Sequence, residues 1–255
     1  MELAHAAVPK RDIALFLDVD GTLLEIAATP HAVKVPPTLR NQLRQAAKRA
    51  DGALALISGR SLQELDRLFA PCVFPAAGQH GLERRDANGK ISRPGIDRKF
   101  LRQARDALTQ LQARQIGLFL EDKGTSLAMH YRLAPHSKSL VQEVMRDLVA
   151  PLHDRFELRA GKCVVELAPK GYSKRLAIEA FMSELPFAHR TPVFVGDDAT
   201  DEDGFAAVNA LNGYAVRVGS TQATAARYCF DDVSAVISWL SDCNPDDGSW
   251  ATRQQ

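Results

Sequence analysis

The sequence predicts an α/β fold: a Rossmann-like parallel sheet split by an inserted α+β domain of order αββαββ. Three observations lead there. Short apolar runs alternate with amphipathic segments at both ends of the chain. The rhythm changes to helix followed by paired strands near residue 95. The apolar run Ala14-Leu-Phe-Leu17 ends abruptly in Asp18-Val-Asp20-Gly-Thr22, which places two carboxylates at the open edge of such a sheet, where ligands bind.

In order, Ile13 to Asp18 is a strand, and Pro36 to Ala50 a helix opened by prolines. Ala53 to Ile57 is a second strand and Ser61 to Phe69 a short helix, so the opening is a βαβ unit. Arg84 to Ile91 predicts a hairpin turning at Asn88-Gly89. The insert follows, with a helix over 97–114, strands over 117–121 and 126–131, a helix over 136–153, and strands over 156–159 and 163–167. The first rhythm then returns: helix 173–185, strand 192–196, helix 201–211, strand 214–218 and helix 233–240. The expected division is therefore 1–94 with 169–255 as the core and 95–168 as the insert, a lid over the substrate. From Asn244 onward turn residues predominate without a period, which predicts a frayed tail in which Trp250 has no functional role.

Composition narrows the class. The chain has 255 residues, 45% of them hydrophobic and 25% charged, and a net charge of +1. That balance predicts neither a nucleic-acid nor a membrane partner. Met1 to Lys10 is too short and polar for a secretory segment, and no apolar run approaches a membrane span, so a cytoplasmic location is expected. Four cysteines (Cys72, Cys163, Cys229, Cys243) without a Cys-x-x-Cys argue against zinc and against a disulfide framework. Cys163 and Cys229 stand in apolar, strand-like runs and read as packing residues.

Four motifs carry chemistry. Asp18 and Asp20 leave one face of the strand while its geometry lasts, and Gly21 lets the backbone turn tightly. Two such carboxylates suit a hard cation, or one attacks phosphorus while the other moves a proton. A calcium loop also contains Asp-x-Asp-Gly, but here Thr22-Leu23-Leu24 replaces its further acidic ligands. Ser58, in Ile57-Ser-Gly-Arg60, offers a hydroxyl to a phosphate oxygen or merely caps a helix. Lys174, at a helix start, offsets phosphate charge or is a solvated surface residue. Gly196-Asp197-Asp198-Ala-Thr-Asp201-Glu-Asp203 crowds carboxylates at a strand edge, and a divalent cation relieves their repulsion.

Together these motifs resemble the four signatures of the haloacid dehalogenase superfamily of phosphatases. Gly196 to Asp203, Ile57 to Arg60 and Gly78-Gln-His80-Gly-Leu-Glu83 resemble, more closely, the trehalose-6-phosphate phosphatase family. The resemblance spans about Ile13 to Leu240, insert included; Arg175 departs from the glycine often found after the lysine. It implies a haloacid-dehalogenase core with a cap, and Mg²⁺-dependent hydrolysis of trehalose 6-phosphate. Asp18 is then the nucleophile and Asp20 the general acid and base, while Thr22, Ser58 and Lys174 hold the phosphoryl group. Mg²⁺ is held by Asp18, the Asp20 carbonyl and Asp197; Asp201 orients water or Lys174, and Asp198 is either a ligand or a neighbour.

Substrate choice is expected from the insert, because the core motifs see only phosphate. Alternation puts Lys162, Val164 and Glu166 on one strand face, a pairing of charges that suits sugar hydroxyls and equally an ordinary exposed face. The resemblance makes Glu121, Lys123, Arg132, Lys162 and Glu166 the sugar-gripping residues; Arg60 is expected at the substrate as well, and His80 either reaches the sugar from the core rim or merely packs or caps. The expected partner is one small sugar phosphate, bound by a monomer. The alternatives are a phosphatase of another sugar phosphate, such as a mannosyl or sucrose phosphate, and a phospho-accepting receiver domain, which lacks the second acid and the lid.

Overall fold

The computed structural model describes residues 4–5, 12–26, 33, 35–93, 95, 97–161, 163–219 and 223–241. Lys162, Cys243, Trp250 and most of the first ten residues lie outside them. The chain begins with β1 (Ala4–His5), β2 (Ile13–Leu17), α1 (Pro37–Arg49), β3 (Leu54–Ile57), α2 (Leu62–Phe69), β4 (Ala76–Gly78), β5 (Glu83–Arg85) and β6 (Ile91–Ser92). The middle holds α3 (Arg98–Arg114), β7 (Phe119–Asp122), β8 (Leu127–His130), α4 (Lys138–Val149), β9 (Phe156–Gly161) and β10 (Val164–Pro169). The last part holds α5 (Lys174–Met182), β11 (Thr191–Gly196), α6 (Glu202–Ala210), β12 (Tyr214–Val218), β13 (Tyr228–Phe230) and α7 (Val233–Ser241). Two compact units result: Met1–Arg93 with Ser173–Gln255, and Pro94–Tyr172.

The first unit is built on a nine-stranded sheet of order β1-β13-β12-β11-β2-β3-β4-β5-β6. It is parallel from β1 to β4, and β5 and β6 close it as an antiparallel hairpin. Strand β2 lies between β3, which follows it in the chain, and β11, which comes from the other end. Connections therefore leave β2 in opposite directions, the arrangement that opens a crevice at the carboxyl ends of the strands. Both faces are covered. Leu15 and Leu17 join one apolar cluster with Leu39, Leu43 and Val195. Ala14 and Phe16 join another with Phe181, Phe187 and Phe194. Each large side chain buried there contributes roughly 1.5–3 kcal/mol, which is why β2 is continuously apolar up to Asp18.

Helix α5 shows how packing aims a charged group. Ser173 caps it by accepting from Leu176 N at 3.3 Å, and its buried positions are Lys174, Ala177, Ile178 and Phe181. Phe181 lies 5.9 Å from the Phe16 ring and 4.9 Å from that of Phe187, so the stripe carrying the lysine is pinned to the sheet.

The second unit is a four-stranded antiparallel sheet of order β7-β8-β10-β9. Leu127, Met129, Val165 and Leu167 pack with Leu101, Leu108, Val141 and Met145 of α3 and α4. The register sets Phe119 beside His130 and Glu121 beside Ala128, which in turn pairs with Glu166. The face opposite the helices thus carries Glu121, His130, Glu166, Arg159 and Glu157 interspersed with Phe119, Ala128, Val164 and Ala168.

Some expectations need correction. The hairpin is not among them: it turns at Asn88-Gly89, closed by Gly89 N donating to Asp86 O with Gly89 at φ +83°. Asp86 also accepts from the amides of Asn88 and Lys90. Cys163 is in the β9–β10 turn at φ +63° rather than inside a strand. Strand β4, which ends in Gly78, is absent from the expected elements: three residues are too few for a period to register. Among the described residues, no helix is long and apolar enough to cross a membrane.

Candidate active site

Strand β2 delivers Asp18 to the sheet edge, and Asp18 N donates to Val195 O at 2.9 Å, tying that edge to β11. The loop beyond is fixed by its apolar residues. Val19, Leu23 and Leu24 are buried, Leu23 N and Leu24 N both donate to Val19 O, and Gly21 N donates to Leu24 O. Gly21 adopts φ +86°, and a Cβ there would come within 2.1 Å of Asp197 Oδ2. Only glycine permits both the turn and the approach of that carboxylate.

Lys174 Nζ donates to Asp18 Oδ1 at 2.8 Å and to Asp201 Oδ1 at 2.6 Å, with the lysine 3% exposed. It is not the solvated lysine that a helix start usually carries. Asp201 is fully buried, and its second oxygen accepts from the amides of Asp197 and Asp198, both at 3.0 Å. One carboxylate therefore holds both the lysine and the loop after β11. Gly196 makes room for it, since a Cβ there would lie 2.4 Å from Asp201 Cγ. Arg217, paired in register with Gly196, braces the same loop by donating to Asp197 O and Asp198 O. Nothing in the sequence singles out Arg217 beyond being a cation inside an apolar strand.

The electrostatics are unbalanced toward negative charge. Burial raises the Asp18 carboxyl well above its ordinary range, and Asp201 and Asp197 add to this while Lys174 opposes it. Asp201 is raised for the same leading reason. Asp197 is pushed up to about 7 by burial and by repulsion from Asp201 and Asp198. Burial pulls the Lys174 ammonium down, but Asp18, Asp201 and Asp198 more than reverse this, so it remains charged. One ammonium cannot offset three carboxylates. Oxygen atoms of Asp18, Asp197 and Asp201 lie within 4.8 Å of one another, and Asp197 Oδ1 is buried with no hydrogen-bond partner among the described residues. A hard divalent cation fits this donor set, which is all carboxylate oxygen. Asp198 is exposed and caps its own turn, accepting from Thr200 N and Oγ1, both at 2.7 Å.

Asp20 stands apart from the cluster. Both its oxygens accept from Arg60, at 2.6 Å each, in a bidentate pair that couples the loop after β2 to the one after β3. Arg60, expected at the substrate, thus holds Asp20. Ser58 is buried, and its hydroxyl oxygen accepts from Arg60 N at 3.1 Å. It is not the cap of α2, which is Ser61 in a reciprocal capping box with Glu64. Thr22 is fully buried, and its hydroxyl has no hydrogen-bond partner among the described residues. His80 adopts φ +56°, next to Gln79 at φ +49°, and its Nε2 would lie 2.8 Å from a Cβ on Gly59. The ring therefore packs on the Ser58-Gly59-Arg60 turn. Two successive left-handed non-glycine residues store local strain, and no sequence signal announced it.

In the second unit, Glu166 Oε1 accepts from Ser126 Oγ at 2.5 Å and from Lys123 Nζ at 3.4 Å. Glu121 Oε2 lies 2.8 Å from His130 Nε2. Arg132, just past β8, is exposed. Four of the five expected sugar-gripping residues are thus placed in this unit, while Lys162 lies outside the described residues.

A parallel sheet with acids at its switch point, a lysine on the adjoining helix and an αββαββ cap define a phosphatase of the haloacid dehalogenase superfamily. Solved structures share the architecture. The C-terminal domain of a C. albicans trehalose-6-phosphate phosphatase superposes with a TM-score of 0.78 at 22% identity, covering 91% of each chain. A trehalose-6-phosphate phosphatase related protein gives 0.73 at 27% identity, covering 90% of this chain and 95% of that one. The trehalose-phosphatase family model matches residues 16–234. The Escherichia coli K12 trehalose-6-phosphate phosphatase is 48% identical over 89% of this chain and 85% of its own. A probable trehalose-phosphate phosphatase of Sinorhizobium fredii is 43% identical over 81% and 77%. The chain belongs to the trehalose-phosphatase family.

Proposed function

We propose that this chain hydrolyses trehalose 6-phosphate to trehalose and inorganic phosphate through an aspartyl-phosphate on Asp18, with Mg²⁺ as its cation. The observation that carries the reading is the buried cluster of Asp18, Asp197 and Asp201 around a single lysine. Asp18 and Asp197 would hold Mg²⁺ with the Asp20 carbonyl. When bound, the ion offsets their charge and that of the phosphate oxygens. Asp201, with both oxygens already engaged, positions Lys174 and the loop after β11.

Asp18 attacks phosphorus in line, the P–O bond to the sugar breaks, and Asp20 supplies the proton to the leaving oxygen. Asp20 then takes a proton from water, whose oxygen attacks the phosphoryl group and frees Asp18. Lys174, Ser58 and the hydroxyl of Thr22 offset and hold the phosphoryl oxygens. A buried hydroxyl without a partner costs about 1–3 kcal/mol, a cost that a bound phosphate would relieve. Arg60 positions Asp20: its fork fixes both carboxylate oxygens, and one must leave the fork before Asp20 delivers a proton.

Pro94–Tyr172 is the substrate-specificity domain in this reading. Glu121, Lys123, Arg132, Lys162 and Glu166 bind the disaccharide, and His80 acts by packing the motif that carries Arg60. The enzyme works as a cytoplasmic monomer on a diffusible substrate. Phosphate release with Mg²⁺ from trehalose 6-phosphate, glucose 6-phosphate, sucrose phosphate and mannosyl phosphates tests the reading. Trehalose 6-phosphate is expected to give the highest kcat/KM; faster turnover of another member of the panel overturns the substrate assignment.

A further inference from the structure

Along the polar face of the second unit's sheet, exposure rises in one direction. At the end where β10 runs out toward the chain's return to the first unit, Ser126 is fully buried and Glu166 is 7% exposed. One rank further out Phe119 and His130 are paired across β7 and β8, and Phe119 is 59% exposed. The side chains of His130 and Glu121 are 34% and 26% exposed.

A single exposed phenylalanine on an edge strand is ordinary and by itself signals nothing. Phe119 is not alone. Its ring centroid lies 5.7 Å from that of His130, tilted by 42°, and His130 Nε2 lies 2.8 Å from Glu121 Oε2. Strand alternation sets all three on the face opposite α3 and α4. An aromatic surface is thus held beside a carboxylate whose direction is fixed by the imidazole.

That combination has a chemical counterpart. A glucopyranose carries its hydroxyls around the rim and presents apolar C–H groups above and below the ring. The π face of an aromatic side chain packs against such C–H groups, while a neighbouring carboxylate accepts from the rim hydroxyls. Sites for small ligands join apolar and aromatic walls to a few placed polar groups in this way.

We propose that Phe119, held by His130 and Glu121, is a stacking platform for the glucose unit of the substrate that carries no phosphate. The proposal rests on the reading that this sheet face receives the sugar. Phe119 is then a binding residue that separates a disaccharide phosphate from a hexose phosphate, and His130 is a positioning residue for both the ring and the Glu121 carboxylate.

The test measures kcat and KM of the full chain with Mg²⁺ for trehalose 6-phosphate, glucose 6-phosphate and p-nitrophenyl phosphate. Phe119→Ala is expected to raise KM for trehalose 6-phosphate about three- to tenfold. Its kcat should hold, and the other two substrates should be unaffected. Phe119→Leu keeps apolar volume without a π face and should lose as much, whereas Phe119→Trp should restore KM. His130→Ala should shift KM in the same direction. Glu166→Gln separates the two levels of the argument. If Glu166→Gln raises KM for the disaccharide while the Phe119 variants do not, the platform is wrong and the sugar-reading face stands. If neither does, both fall. Equal losses on all three substrates in the Phe119 variants also overturn the platform, because they would report a general defect.

Discussion

Strands β2 and β3 of the nine-stranded sheet are buried at every position, whereas β7 and β9 of the four-stranded sheet are exposed or half-buried along most of their length. The side chains at the ends of the covered strands are locked: Lys174 joins Asp18 and Asp201, and Asp201 holds two amides. The face opposite α3 and α4 carries pairs of mixed length, from Ser126 with Glu166 at 2.5 Å to Lys123 with Glu166 at 3.4 Å. Chemistry that tolerates little displacement is built where packing excludes alternatives. Under the proposed function, recognition of the sugar falls to the sheet whose strands are the more exposed.

The sharpest break of that division is Asp18→Asn. Phosphate release should fall on the order of 10⁴-fold or more, equally for trehalose 6-phosphate and p-nitrophenyl phosphate. Normal turnover would rule out a covalent route through Asp18. Next in size is Arg60→Ala, which should lower kcat for trehalose 6-phosphate by roughly 10- to 100-fold through a mispositioned Asp20. It should cost p-nitrophenyl phosphate less, because its phenolate leaves without a proton and only the water step still needs Asp20. A rise in KM instead would return Arg60 to the sugar. On the open face, Glu166→Gln should raise KM for the disaccharide by about tenfold, the loss of a charge-assisted hydrogen bond, and leave p-nitrophenyl phosphate unchanged.

The smallest effect is thermal. Asp197 is raised to about 7 when no cation is present, so its folded form favours the proton. Its contribution to stability is complete below the ordinary carboxyl pKa of about 4 and is lost as pH rises through about 7; Asp18 and Asp201 shift in the same direction. Mg²⁺ binds the ionised carboxylates and should therefore raise Tm by several degrees more at pH 8 than at pH 5.5. A pH-independent increment, as seen by differential scanning fluorimetry, would place the ion elsewhere.

Much of the covered sheet is legible in the sequence, because burial on both faces produces unbroken apolar runs such as Ile13 to Leu17 and Val193 to Val195. Asp18 and Asp197 are legible for the same reason, as polar residues at the ends of such runs, whereas Lys174 at a helix start reads equally as a solvated side chain. The Arg60–Asp20 pair is not legible, since it depends on which loops the strand order brings together. The row of Phe119, Glu121 and His130 depends on the register of β7 against β8, which alternation alone leaves free by any even shift. The backbone at His80 is illegible for a third reason. A left-handed backbone at a histidine is imposed by its surroundings, and local preference points the other way.

The placing of β2 against β11 also orders events during synthesis. Ile13 pairs with Thr191, so the central strand waits for a neighbour made late, roughly ten to forty seconds after it leaves the peptidyl-transferase centre at ordinary elongation rates. Pro94–Tyr172 is one continuous stretch whose pairings all lie within it, and it can fold while that wait continues. On the ribosome, the inserted unit can complete its own sheet before the strand that closes on the centre of the nine-stranded sheet has been made.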